Sequence, residues 1–463
     1  MAAQYFLMLT LLTVVGYALA RGRARSVAGG NFAQMHSLPA YHGLYTAALV
    51  VTSMLLIIVI GAPLLSYLAQ NNALSYLSDD VRNDALKTSA ALRDIRNLAS
   101  GQYSGVPSPE LTAAASTYSS TLGNGQWLVL GLGFAAGLAA MAFGLSSVSM
   151  KFRARNRFES IIKVLLFVAA TIAVLTTIGI IFSLVGETYR FFFDPKIVGK
   201  PTITDFLFGT DWNPQAAMRA DQGDIQTAFG FLPLLTGTLL ITFIAIVVAG
   251  PLGLFSAIFL AEYAGPKLRA SVKPILEILA GIPTVVLGFF AALTVAPLVR
   301  GWGEQFGLDV ASESALAAGL VMGMMIIPFI SSLSDDVINA VPQSMRDGAY
   351  ALGATKSETV RRVVLPAALP GIVSAFMLAI SRAIGETMIV VMAAGLAANL
   401  TFNPLEAVTT ITVQIKTILV GDQEFDSAKT LAAFALGFVL FFVTLMLNFI
   451  ALRVAQKYRE QYD

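Results

Sequence analysis

The sequence predicts an all-α, polytopic transmembrane protein, and three observations carry that prediction. Hydrophobic residues make up 56% of the chain and charged residues only 13%, about half the charged share of an average soluble domain. Nine apolar stretches, at 5–20, 44–68, 126–147, 161–185, 231–261, 274–299, 315–333, 366–398 and 431–452, approach or exceed the ~20 residues needed to cross a bilayer core. The connecting segments also alternate in charge. Segments 21–43, 148–160, 262–273, 334–365 and 453–463 hold 17 Lys and Arg against 8 Asp and Glu; segments 69–125, 186–230, 300–314 and 399–430 hold 11 against 18. Basic loops stay in the cytoplasm, so the first set is expected inside, with the N-terminus outside and the C-terminus inside.

The elements follow in order. Arg21, Arg23 and Arg25 come after the first apolar stretch, whereas a signal peptide carries its positive charges before it, so this is expected to be a retained helix. Between the second and third stretches lies an insert, 69–125. Within it Val81, Ala85, Thr88, Leu92, Ile95 and Ala99 fall at alternating spacings of four and three, the pattern of an amphipathic helix. A Gly/Ser/Pro loop at 100–109 and a second short helix at 110–121 complete an expected extracytoplasmic cap. In the third stretch Gly131, Gly133 and Gly137 suit close helix packing. The basic run Lys151, Arg153, Arg155 and Arg157 then divides the chain into 1–150, three spans with the insert, and 151–463, six spans. Segment 186–230 mixes Phe206, Phe208 and Trp212 with Asp205, Asp211, Asp221 and Asp224, as an interfacial cap or a docking face would.

Only two charged sites fall well within the predicted spans: Glu277, and Arg382 with Glu386 at i+4. Each such charge is costly in a bilayer and should be paired or face water. Spacing i, i+4 on a helix would place Arg382 and Glu386 side by side. The guanidinium suits phosphate oxygens, and Thr284 and Thr387 add hydroxyls nearby in sequence. Either an anion pathway or an intramembrane salt bridge fits these residues.

Several functions are excluded. The chain has no cysteine, two histidines and a formal charge of +2, which argues against Cys-based metal sites, disulfides and nucleic-acid binding. It lacks a phosphate-binding loop, G-x-S-x-G and H-E-x-x-H, so no ATPase or hydrolase site is visible.

Segment 334–365 is the most informative. Ser344 and Asp347 suit a helix start. Gly353 permits a sharp turn, and Lys356, Arg361 and Arg362 lead to Pro366, a residue able to open the next helix. A helix–turn–helix elbow is expected, with Ala349 and Ala351 small enough for close docking. The motif is Asp347, Gly348, Ala349, three residues, Gly353, nine residues, then Val363, Val364, Leu365 and Pro366. It resembles the E-A-A loop of ABC importer permeases, with Asp for Glu, Gly for Ala and Val for Ile. The stretch from Glu277 through Gly281, Pro283 and Thr284 to Gly288, and the run from Arg382 through Gly385, Glu386 and Thr387 to Met388, resemble the permeases of phosphate importers. The run from Phe206 through Gly209 and Trp212 to Pro214, with Phe229 through Pro233 to Thr238, resembles the PstC-type family.

That resemblance covers about 155–460 and implies a type I ABC importer permease fold, a six-span core, here with three extra N-terminal spans. It implies a non-catalytic inner-membrane subunit for inorganic phosphate, paired with a PstA-type permease, two ATPase subunits and a periplasmic phosphate-binding protein, in contact with membrane lipid. ATP and Mg²⁺ would be bound by the ATPase, and this chain would hold no cofactor. The pathway residues would be Arg382, Glu386, Glu277, Thr284 and Thr387. ATPase coupling would fall to Asp347, Gly348, Ala349, Gly353, Arg361, Arg362, Leu365 and Pro366. Import of another oxyanion or small solute, or a phosphate-sensing scaffold for a signalling kinase, is compatible with the same features.

Overall fold

The computed structural model describes residues 2–82, 84–197, 199–214, 229–420 and 427–457. Among them, nine helices are long and apolar enough to cross a bilayer, and apart from an isolated bridge between Trp212 and Phe229 there is no β-structure. Asp221 and Asp224 lie outside the described residues. Contacts divide the chain into two compact units, Met1–Thr176 and Thr177–Asp463.

The first unit holds α1 (Ala2–Ala28), α2 (Pro39–Leu74), α3 (Asp79–Arg82), α4 (Ala85–Ala99), α5 (Pro109–Ser146) and the first part of α6 (Ala154–Phe193). Helices α1, α2 and α5 pack through small residues. Tyr5 donates its hydroxyl to the Met54 carbonyl at 2.7 Å, beneath Gly133, and Gly137 makes room for Met54 and Leu12. Gly131 is exposed with open space around it, so the packing face is Gly133 and Gly137. The insert differs from the expectation in one respect: the second short helix at 110–121 is not separate from the span. Helix α5 starts at Pro109, with Ser108 accepting from the Leu111 N–H, and runs unbroken through 110–121 into the span. Helix α2 likewise extends to Leu74. Only α4 keeps the amphipathic pattern, burying Ile95 against Ala73, Ala114 and Ala115. Gly123 and Gly125 weaken a helix without ending it.

The second unit continues α6 and adds α7 (Ile203–Phe208), α8 (Leu232–Ile258), α9 (Pro266–Ala280), α10 (Thr284–Phe290), α11 (Ala296–Gln305), α12 (Ala315–Ala340), α13 (Gln343–Ala351), α14 (Lys356–Thr359), α15 (Leu365–Ile384), α16 (Met388–Ala393), α17 (Ile411–Leu419) and α18 (Ala428–Lys457). Its centre is the seam between α8 and α12. Gly253 lets the backbone meet Ile330, where a Cβ would come within 2.9 Å, and Ile241, Ala245, Met322 and Ile326 fill the core. An aromatic cluster of Phe191, Phe206, Phe229 and Phe231 closes one end. There Trp212 donates to the Gln414 side chain at 2.9 Å.

Among the described residues of this unit, three π-helical turns interrupt the helices, at Phe259–Tyr263, Ala291–Val295 and Val360–Val364. The second and third precede Pro297 and Pro366. Proline lacks an N–H and crowds the carbonyl four residues back; widening that turn relieves both faults without breaking the helix. Helix formation therefore starts at Lys356 and not at Pro366, and one candidate span runs Lys356–Ile384. The expected span at 274–299 is also shifted. A bend at 281–283 separates α9 from the spanning segment Thr284–Gln305, because Pro283 opens α10 and denies α9 a continuing N–H.

Candidate functional site: a helical elbow and a broken membrane helix

The elbow is built as two helical limbs around one glycine. Helix α13 follows Pro342, with no side-chain cap; Ser344 and Asp347 do not cap it, and Asp347 instead accepts from Gln343 at 3.0 Å. Its end is a Schellman turn. Gly353 has φ +81°; its N–H donates to Tyr350 at 2.9 Å, and the Ala354 N–H donates to Ala349 at 3.1 Å. The second limb opens with a capping box between Thr355 and Glu358. Its two backbone donors reach their carboxylate and hydroxyl partners at 2.9 and 3.4 Å, satisfying the first free amides of α14.

Exposure separates the elbow's tip from its base. Leu352, at the tip, is 91% exposed, an arrangement that costs free energy in water unless something covers it. Asp347, Gly348, Ala351, Arg361 and Arg362 are exposed and Leu365 is half-buried. Ala349, expected to dock outward, is buried in the chain itself, on the inner face of α13.

The base is held by a residue the sequence reading passed over. Arg346 is buried. It donates from Nε and Nη2 to Oε1 of Glu262 at 3.0 and 2.9 Å. It also donates to the carbonyls of Val341 and Ile338 at 2.6 and 2.8 Å, where α12 ends; the Ile338 carbonyl also accepts from the Val341 N–H at 3.3 Å. One guanidinium thus neutralises a buried carboxylate and caps a helix C-terminus. Lys356, on the other limb, lies 5.1 Å from the Tyr263 ring centre.

A second ion cluster pins α9 to α12. Asp335, 1% exposed, accepts from Arg269 at 2.9 and 3.0 Å and from Lys273 at 2.9 Å, with Asn339 also donating. Hydrogen bonds from Lys273 to Asp335 and Asp336 raise the lysine pKa above its ordinary value. In the sequence Arg346, Asp335, Arg269 and Lys273 read as ordinary loop charges. The available signal was the pair of matched i, i+4 spacings, Arg269/Lys273 against Asp335/Asn339.

The expected Arg382–Glu386 pair does not form. Helix α15 ends at Ile384, and Gly385 turns the chain. Glu386 lies beyond the helix, buried, with Oε1 accepting from the N–H groups of Met388 and Ile389 at 3.0 and 3.4 Å. It neutralises the N-terminus of α16, a position that favours negative charge. Arg382 is exposed and makes no ion pair or hydrogen bond among the described residues. Glu277 lies on α9, outside the span, and lines a small crevice with Lys273, Ser331, Ser332 and Asp335. Thr284 and Thr387 sit at the starts of α10 and α16, which pack closely where Gly288 meets Met388 and Met392. Of the five expected pathway residues, the breaks at 281–283 and 385–387 therefore bring Thr284 and Thr387 to two packed helix starts; Glu277 goes elsewhere.

Nine helices long and apolar enough to cross a membrane among the described residues, with an anchored elbow between two of them, fit one class: a membrane permease component. Residues 249–460, which include the elbow, match the family described as binding-protein-dependent transport system inner membrane component. Residues 6–176 match the family described as phosphate ATP-binding cassette transporter. The chain is 34% identical over 236 residues to a probable ABC transporter permease protein, YqgH, of Bacillus subtilis, covering 51% of this chain and 72% of that one. It is 33% identical over 264 residues to the phosphate transport system permease protein PstC of Mesorhizobium japonicum, covering 53% and 76%. A crystal structure of a bacterial ABC transporter for alginate import aligns at 15% identity and TM-score 0.44, covering 64% of this chain and 96% of that one. The chain belongs to the PstC family of ABC importer permeases.

Proposed function

We propose that this chain is the non-catalytic permease subunit of an ATP-driven importer of inorganic phosphate. The observation that carries the reading is the elbow: a complete E-A-A-type spacing, folded as two capped limbs with an exposed Leu352 tip, in a chain of the PstC family. Six spans of 151–463 pair with a homologous PstA-type permease to enclose the pathway, and 1–150 is a three-span extension. Two ATPase subunits bind the elbows from the cytoplasm and hold the ATP and Mg²⁺; a periplasmic phosphate-binding protein delivers the anion. The loop-charge asymmetry supports a bacterial inner-membrane setting with the N-terminus periplasmic and the C-terminus cytoplasmic.

In this reading the elbow converts closure of the ATPase dimer into movement of α12 and α15, which flank it. Phosphate passes a site to which Arg382 brings a guanidinium with no counter-ion among the described residues. Thr284 and Thr387 supply hydroxyls. Glu386 keeps the α16 amides occupied, so the anion is passed on and not trapped at a helix N-terminus. Glu277 acts at a distance, through the α9–α12 ion cluster.

The test is ATP-dependent uptake by the assembled complex in proteoliposomes, with labelled phosphate and competing sulfate, molybdate or phosphonate. Uptake displaced by phosphate alone supports the reading; displacement by another oxyanion moves the cargo to that anion. An ATPase-bound complex without uptake of any of them favours the sensor role.

A further inference from the structure

We infer that the π-turn Phe259–Tyr263 at the end of α8 receives the elbow's movement, through Glu262 and Tyr263, and that breaking this clamp uncouples ATP hydrolysis from transport. The inference rests on the permease reading and extends it to a polar contact at the end of α8, where the apolar end of the E-A-A-type motif, Val364 and Leu365, also packs near Ala257.

Chain connectivity joins the elbow to two helices only. Its first limb follows α12, and its second continues into α15. Helix α8 has no such link, yet both limbs grip adjacent residues of its last turn. Arg346, before the Gly353 turn, binds Glu262 with two hydrogen bonds, and both side chains are at most 10% exposed. Lys356, after the turn, lies over Tyr263. Arg346 simultaneously holds the last carbonyls of α12. A rotation of α13 therefore pulls on α8 and α12 together through one rigid, forked group.

The receiving turn can respond. π-turns interrupt the regular hydrogen-bond ladder of an α-helix and are frequent at functional sites. Beside it lies an open polar cleft of about 340 Å³ lined by Glu262, Asn339, Gln343, Arg346, Tyr350 and Lys356, so the limbs are not packed solid around the turn. Beyond the turn, α8 packs on α12 along the glycine- and alanine-rich seam of the core. Packed seams of this kind move between discrete arrangements and do not deform continuously. Displacing the end of α8 thus reaches the helices that carry the two membrane breaks.

The experiment uses the whole complex in proteoliposomes and reads three quantities together: ATPase subunit retained, ATP hydrolysed, and phosphate taken up. For Glu262→Gln the shape and one acceptor oxygen remain, but the charge is lost. Retained ATPase and hydrolysis should stay near wild type while uptake falls, so that ATP consumed per phosphate rises about tenfold, a usual size for a coupling effect. Arg346→Lys, which keeps the charge and loses the fork, should shift the ratio in the same direction. Tyr263→Leu should raise it about twofold through the lost cation–π contact, and Tyr263→Phe should leave it unchanged. A ratio unaltered in Glu262→Gln, or uptake and hydrolysis falling in parallel with ATPase loss, overturns the inference and leaves the pair a structural bond. Amide exchange separates this failure from failure of the permease reading. Trapping the nucleotide-bound state of the wild-type complex should change exchange in 259–263 and 343–351 together, whatever the cargo, and the change in 259–263 should vanish in Glu262→Gln. Independent responses of the two segments in wild type contradict the clamp even if no oxyanion is transported.

Discussion

Substitution of Gly353 isolates the backbone requirement of the elbow from every steric one. Its φ of +81° lies in the left-handed region, but a Cβ added there would meet nothing within 4 Å. The penalty is then conformational alone: about 1 kcal/mol for Ala, a few tenths for Asn, and about 2 kcal/mol for a β-branched Val. Where the ATPase binds only the formed elbow and the free elbow is formed in a minor fraction, each kcal/mol weakens binding about fivefold. Gly353→Ala should bind the ATPase about fivefold more weakly, Gly353→Val about thirtyfold, and Gly353→Asn less than twofold more weakly. Gly348 is the internal control. A Cβ there also meets nothing, but the residue lies within α13, where Ala is better than Gly by roughly 0.5–1 kcal/mol. Gly348→Ala should leave binding unchanged or improve it. The assay is titration of fluorescently labelled ATPase subunit onto the permease pair in nanodiscs. Equal affinities across the Gly353 series, or Ala weaker than Val, would refute the backbone argument.

Three further outcomes are expected. Arg382→Gln should cut phosphate uptake severalfold while thermal stability and ATPase binding stay within about 0.5 kcal/mol of wild type, since Arg382 is exposed and bonded to nothing among the described residues; unchanged uptake removes it from the pathway. Asp335→Ala strips the buried counter-charge from Arg269 and Lys273 and should destabilise the chain by about 3 kcal/mol, read as lower yield and a lower unfolding temperature in nanodiscs. Glu386→Ala leaves the α16 amides without their acceptor and should cost about 1 kcal/mol, whereas Glu386→Gln keeps an acceptor oxygen and should cost less; the reverse order would contradict the capping role.

The spans were legible because hydropathy over ~20 residues is a strong, redundant signal. The elbow's turn was legible because a left-handed residue on a Schellman turn selects for glycine, and Gly353 stands at the motif position. Other features depend on partners far away in sequence. Arg346 reads as one more basic loop residue until Glu262, 84 positions earlier, is seen to bury it. The Arg382–Glu386 pair was misjudged because i, i+4 spacing has meaning only inside a helix, and Gly385, which helices tolerate, here ends one. Pro366 was given the role of helix opener because the compensating π-turn leaves no mark in composition. At 110–121 the error ran the other way: polar residues suggested a separate helix where the span's own helix continues.

The most direct test of the central claim uses the elbow's tip. The chain has no cysteine, so Leu352→Cys introduces its sole thiol at a position 91% exposed. In the assembled complex a short bifunctional cross-linker should join position 352 to an ATPase subunit, and a membrane-impermeant thiol reagent should reach it in inside-out vesicles but not in intact cells. Labelling from the outside of intact cells, or full modification in the complex with no cross-link to the ATPase, would contradict the account.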